Sequence, residues 1–253
     1  MAQRDEIISF CDSLLEVGSY ADYGPNGLQV PGADEVRKVV TGVSAHLELL
    51  EAAVAAGAQM LLAHHGLFWD FHPRALSPAM ARRLRVALGA DLSVAGYHLP
   101  LDAHPEVGNN ALLCRELGFE PEPQAFARVK GSAIGCIGRS AEGVPAEELV
   151  RRVREATDRE PLHFAGGPPL VRTIGVVTGA GSKEIHEAVE LGLDAFITGE
   201  PAEHVMADAL EGGIHFLAAG HWATETFGIR RLGQLVAERF AVEHEFIAVP
   251  NPV

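Results

Sequence analysis

Six residues in this chain have the types and places to hold metal or move protons: His64, His65, His98, Asp102, His221 and Glu225. They are imidazoles and carboxylates with no thiolate among them. That donor set suits Zn, Mn, Fe, Co or Ni, and not a soft-metal or iron–sulfur centre. His64 and His65 are adjacent, and on a regular strand successive side chains diverge. One ion would not readily take both, whereas two ions side by side, with a carboxylate between, would take one each. Ion pairs about 3.5–4 Å apart are the usual arrangement for hydrolysis by a bridging water, whose pKa falls towards neutrality. The competing reading is that the groups pair with one another, Asp102 with His98 and Glu225 with His221.

These residues must be delivered by elements that end where they stand. The apolar run Met60–Ala63 stops at His64-His65-Gly66 and reads as a buried strand. Ligands bind at the C-terminal edge of the strands in open α/β sheets. Leu92 to Tyr97 is again a strand, ending at His98, and Pro100 argues for a loop carrying His98 and Asp102. Ile214 to Gly220 is a third, ending at His221. If the chain is helical from Trp222 onward, His221 and Glu225 share one face at i and i+4.

Around them, residues 4–17 have helical spacing, Lys38–Val43 is a strand, and residues 47–56 form a helix closed by Gly57. Pro78 to Leu88 is helical, with Arg82, Arg83 and Arg85 read as a solvated face. Asn109 to Leu117 is a helix closed by Gly118. Pro25-Asn26-Gly27 is a turn before a short strand through Leu28 and Val30, where Asn26 serves either the turn or a site. Residues 119–128, rich in Pro and Glu, read as a connection between lobes 1–125 and 126–253. Strand 132–137, helix 146–157 and strand 161–164 follow.

The pattern then repeats. Val39-Val40-Thr41-Gly42 is echoed by Val176-Val177-Thr178-Gly179, and the helix before Gly57 by residues 182–191 before Gly192. The offset is 137 residues at the first strand and 135 at the second, which implies a two-residue deletion between them. Matched β-α-β units imply duplication. In this register His64-His65 corresponds to Gly199-Glu200, so Glu200 lines the same kind of strand end, as a second acceptor or a substrate contact. Gly179-Ala180-Gly181-Ser182 is either a phosphate cradle of backbone N–H groups or a plain tight turn. His98 is a ligand or a general acid/base.

The 253 residues suffice for one large domain or two interlocked lobes. A formal charge of −14 argues against nucleic acid or an anionic membrane as partner. Three unpaired cysteines, Cys11, Cys114 and Cys136, point to a reducing compartment. No signal peptide and no apolar run of about 18 residues is present, so a cytoplasmic protein is expected. G-x-S-x-G and P-loop motifs are absent. The other histidines, His186 and His204 among them, read as surface or core residues.

Taken together, Asn26-Gly27-Leu28-Gln29-Val30, His64-His65-Gly66-Leu67-Phe68-Trp69, the run from Tyr97 through Asn109-Asn110, Phe196-Ile197-Thr198-Gly199-Glu200, and Ala219-Gly220-His221 with Glu225 resemble the GTP cyclohydrolase 1 type 2, or NIF-three-like, family. The resemblance runs to the ending Val249-Pro250-Asn251-Pro252 and is nearest the compact bacterial YbgI-type branch. It implies an α/β fold of two duplicated lobes, two divalent metal ions in a cleft between them, and a toroidal homohexamer. It also implies His64 and Asp102 on one ion, His65 and His221 on the other, and Glu225 bridging both. The family's assigned activity, opening the imidazole ring of GTP, calls for a cationic clamp, and Lys183 is the one evident cation near the glycine loop. The expectation is a metal-dependent hydrolase acting on a nucleotide or a similar cyclic amidine or phosphoester. Glu225, His98 and Glu200 are its catalytic candidates. The alternative is a metal carrier or ring-shaped scaffold without turnover.

Overall fold

The computed structural model describes all of residues 1–253. The chain forms two compact units: Met1–Leu101 with Gly228–Val249, and Asp102–Phe227 with Pro250–Val253. Each is a mixed α/β unit built on its own sheet.

The first unit holds a five-stranded sheet in the order Glu243–Phe246, Lys38–Ser44, Met60–His65, Ser93–Gly96, Gly27–Val30. All neighbours are parallel except the last pair. The central strand is buried on both faces from Met60 to His64, which is why it reads as an unbroken apolar run. Helix Leu47–Ala55 covers it with Leu49, Leu50 and Ala53. The helix ends because Gly57 adopts φ +74°, which lets Gly57 N–H reach Val54 O (3.0 Å) and Ala58 N–H reach Ala53 O (3.1 Å), the paired closure of a Schellman motif.

The second unit holds six strands in the order Leu162–Ala165, His215–Ala218, Ala195–Thr198, Leu170–Val177, Cys136–Pro145, Glu120–Glu122. Its central three are parallel and the outer pairs antiparallel. Helix Ile185–Glu190 closes as its counterpart does, with Gly192 at φ +66°, Gly192 N–H on Val189 O and Leu193 N–H on Ala188 O, both at 3.0 Å.

Strand pairing corrects the offset of the repeat. Val39 stands opposite Met60 and Ile174 opposite Ala195, a separation of 21 residues in both units. No two-residue deletion is needed. One offset of 135 aligns both strands and both glycine caps, and the Val-Val-Thr-Gly echo is displaced by two residues along its strand. A shift of two keeps every side chain on its own face, so sequence similarity alone does not expose it. The correspondence of His64-His65 with Gly199-Glu200 survives unchanged.

Other expectations shift locally. His98 to Asp102 is not a plain loop, because Leu99–Ala103 is a short helix. Pro100 falls in its first turn, where no intrahelical N–H is required. Residues 119–128 include an edge strand, Glu120–Glu122, paired with Arg139 to Ile137. Residues 132–137 divide between the strand Ser132–Ala133 and the long strand Cys136–Pro145. After the third strand of the second unit, the helix is broken. His221–Thr224 is one turn, Glu225 departs from helical angles at φ −102° and ψ 11°, and Thr226–Phe240 begins anew. No helix is long and apolar enough to cross a membrane.

Candidate metal centre

In the first unit, two parallel strand ends bring three imidazoles together. One ring nitrogen each from His64, His65 and His98 lies within 4.8 Å of the others. The ring centroids are 4.6 Å (His64–His65), 5.2 Å (His64–His98) and 5.5 Å (His65–His98) apart. His64 is fully buried, and its Nδ1 lies 2.9 Å from the Tyr97 carbonyl. A carbonyl only accepts, so Nδ1 carries the proton and Nε2 bears the lone pair. Ser44 Oγ sits 3.0 Å from Nδ1 of His65 and orients that ring.

His98 is held from several sides. Its Nδ1 is 2.7 Å from Oδ1 of Asp22, and its backbone N–H donates to Asn26 Oδ1 at 2.8 Å. Asp22 also accepts from Asn26 Nδ2 and from the backbone N–H of Leu99, both at 2.9 Å. Burial works against ionisation of this carboxyl. The hydrogen bond and charge of His98, with the bonds from Asn26 and Tyr23, outweigh it and hold Asp22 below the usual aspartate range. Asn26 therefore braces a site residue as well as its own turn. Gln29 has a comparable task, accepting from Leu67 N–H at 2.6 Å while its amide donates to Pro25 O at 2.7 Å. It lies so close to residue 66 that a Cβ there would meet its side chain at 2.3 Å, which explains the glycine after the paired histidines.

The Trp69 ring completes this surface, 5.0 Å from His98 and 5.8 Å from His65. It also lines a neighbouring cavity of about 610 Å³ with Phe68, His72, Arg74 and Arg83. Arg83 thus faces a concavity, where the helical pattern suggested only a solvated face.

The second unit has its own cluster of carboxylates. Asp102 is buried, and its Oδ1 accepts from Asn109 Nδ2 at 2.8 Å. Asn110 braces the same corner, donating to the Asp102 and Ile134 carbonyls at 3.2 and 2.7 Å and accepting from Thr178 N–H at 2.7 Å. His221 sits between two carboxylates: Nδ1 against Glu200 Oε1, and Nε2 at 3.1 Å from Glu225 Oε2. Burial favours neutral imidazole, but the bonds and charges of Glu225 and Glu200 prevail and raise its pKa to about 9. Divalent metal would compete with that proton for the same nitrogen.

The glycine loop proves to be a turn fitted around Glu225. Gly179 has φ +68°, and a Cβ there would lie 2.2 Å from Glu225 Oε1. Its N–H donates to Thr224 Oγ1 and that of Gly181 to Thr198 Oγ1, both at 3.1 Å. Those two donors are therefore not available to a phosphate. Lys183 is exposed beside Glu184 (3.6 Å). The cation that adjoins Glu200 in this unit is Arg159, which lines a small pocket with Glu200 and donates to the Pro252 carbonyl at 2.9 Å. It lies 41 positions from Glu200 and 93 from Pro252 and carries no motif, so spacing could not find it. Asp22 escaped notice for the same reason.

The sequence matches the profile of the Duf34/NIF3 (NGG1p interacting factor 3) family over residues 2–252. A Pseudomonas aeruginosa protein named GTP cyclohydrolase 1 type 2 homolog is 44% identical over 246 residues, 97% of each chain. A Vibrio cholerae protein of the same name is 42% identical over 92% of each. Among solved structures, the protein ybgI, described as of unknown function, superposes with TM-score 0.93 and 38% identity over 100% of both chains. A Thermus thermophilus protein does so with TM-score 0.89 and 32% identity, again over 100% of both. Matched along its whole length in sequence and fold, this chain belongs to the Duf34/NIF3 family.

Proposed function

We propose that this protein is a dinuclear metal-dependent hydrolase of the GTP cyclohydrolase 1 type 2 kind, acting on a nucleotide or a related small cyclic amidine or phosphoester. The observation that carries the reading is the trio His64, His65 and His98, gathered at the C-terminal end of a parallel sheet. The donor chemistry fits Zn, Mn, Fe, Co or Ni: the donors are imidazole and carboxylate, and Cys11, Cys114 and Cys136 are buried free thiols outside the set. His64 and Asp102 would hold one ion, His65 and His221 the other, and Glu225 would serve both. Bound there, two such cations would supply a nucleophile from water near neutral pH and polarise the bond under attack.

The chain's own residues do the remaining work. The Tyr97 carbonyl presents Nε2 of His64, and Asn109 fixes the Asp102 carboxylate. His98, oriented through Nδ1 by Asp22, offers Nε2 as proton donor or acceptor. Glu200, on Nδ1 of His221, is the second proton-handling group. A planar base fits against Trp69, and Arg74 and Arg83 supply positive charge for an anionic tail. That cluster provides what Lys183 does not. The relatives' name supports the same reading. With it go a toroidal homohexamer, measurable by light scattering, and a cytoplasmic setting.

The test is turnover against metal content. Protein purified without chelator is analysed for bound metal, then offered a nucleotide panel including GTP, alongside Glu225→Gln. Metal-dependent turnover that Glu225→Gln abolishes supports the hydrolase. Retained metal with no turnover on any nucleotide replaces it with a metal carrier or ring scaffold. Failure to take up Mn or Zn at all removes both.

A further inference from the structure

The second unit carries another metal-ligating cluster, formed by residues that take no part in the centre described above. His186 lies on helix Ile185–Glu190, and His204 and Asp208 lie on the cap and first turn of helix Val205–Gly212. The two helices pack side by side. Their imidazoles are stacked nearly parallel, with centroids 5.7 Å apart and planes 13° from one another. Both approach the same carboxylate oxygen: Asp208 Oδ2 is 2.6 Å from His204 Nδ1 and 3.7 Å from His186 Nε2. One donor atom from each residue lies within 4.8 Å of the other two.

We propose that His186, His204 and Asp208 form a surface site for a single divalent transition-metal ion. Two imidazoles and one carboxylate select Zn²⁺, Cu²⁺, Ni²⁺ or Co²⁺ over Mg²⁺ and Ca²⁺, which take oxygen ligands. The i,i+4 spacing of His204 and Asp208 places them on one face of their helix, and His186 approaches from the neighbouring helix. With side-chain exposures of 63%, 43% and 27%, the three leave the outer coordination positions open to water. A cation at a helix N-terminus works against the helix dipole, and the Asp208 carboxylate in that first turn offsets it. This is a site for one exchangeable ion, and it stands whether or not the proposed hydrolase reading holds.

Equilibrium dialysis of the intact protein against Zn²⁺, with metal counted per chain, tests it. The wild type should hold one more Zn²⁺ than His186→Ala/His204→Ala at saturation. The same difference of one should persist in a His64→Ala/His65→Ala background. Asp208→Asn should weaken the site about tenfold or more. With Cu²⁺, nitrogen hyperfine splitting from this site should disappear in the His186→Ala/His204→Ala protein. His186 and His204 are exposed and Asp208 is half-buried, and circular dichroism verifies that each variant is folded. Equal Zn²⁺ stoichiometry and affinity in the wild type and the folded double variant would overturn the proposal and leave a helix-capping ion pair beside a stacked histidine.

Discussion

The central strands of the two units are built alike and finish differently. Both are buried, both follow a helix closed by the same glycine motif, and both pair with the preceding strand at the same separation. One ends in His64-His65 and the other in Gly199-Glu200. In the first unit, the imidazoles of His64 and His65 are oriented by a carbonyl and a hydroxyl. In the second, the glycine has no side chain to offer, since a Cβ at residue 199 would lie 2.6 Å from the Gly179 carbonyl and from His221 Cα. Its neighbour Glu200 instead orients a histidine from the next strand. Matched scaffolds thus end in paired histidines in one unit and in a carboxylate that orients a histidine in the other.

The largest effects should come from breaking that division of labour. His64→Ala and His65→Ala should each remove one metal ion per chain, and a different one, which anomalous scattering from the loaded variants would reveal. If both emptied the same position, the assignment of one imidazole per ion would be wrong. Next in size is Gly179→Ala. The positive φ and the contact with Glu225 together should cost about 2–4 kcal/mol, read from chemical denaturation. A loss under about 1 kcal/mol would mean that Glu225 can move aside.

Asp22→Asn should act through pH. The folded-state pKa of Asp22 lies below its unfolded value, so its contribution to stability is present above the unfolded pKa and is lost as pH falls through the folded one. Asp22→Asn should flatten the acid limb of the stability profile and change little at pH 7 beyond a constant offset. An acid limb as steep as that of the wild type would assign the effect to other carboxylates. The smallest effects sharpen the likeness. Gly57 and Gly192 share positive φ and open space where a Cβ would stand. Gly57→Ala and Gly192→Ala should each cost about 1 kcal/mol, equal within error. Unequal costs would show that the two helix ends are less alike than their hydrogen bonds imply.

The strand ends were legible because each is an apolar run that stops at a polar residue, a pattern set by local burial. His64, His65, His98 and His221 all stand at such ends, as read. The short helix over Leu99–Ala103 and the break at Glu225 were not legible, since proline tolerance in a first turn and a one-residue departure from helical angles leave no periodic trace. Supporting residues were the least visible. Asp22 meets His98 across 76 positions, and Gly179 meets Glu225 through a contact that only the folded chain creates. Strand 243–246, the parallel edge of the first sheet, is too short and too charged to announce itself.

Tyr97 links two distant parts of the first unit. Its carbonyl accepts from His64, and its hydroxyl donates to Asp12, on the N-terminal helix Arg4–Leu14, at 2.8 Å. The orientation of a buried imidazole is thereby tied to whether a terminal helix stays docked. Fraying of that helix and loosening of His64 should be one cooperative opening event, with amides of Ile7–Cys11 and Ala63–His65 exchanging hydrogen at a common free energy. Tags or truncations at the N-terminus would then alter the centre from a distance, without touching any ligand.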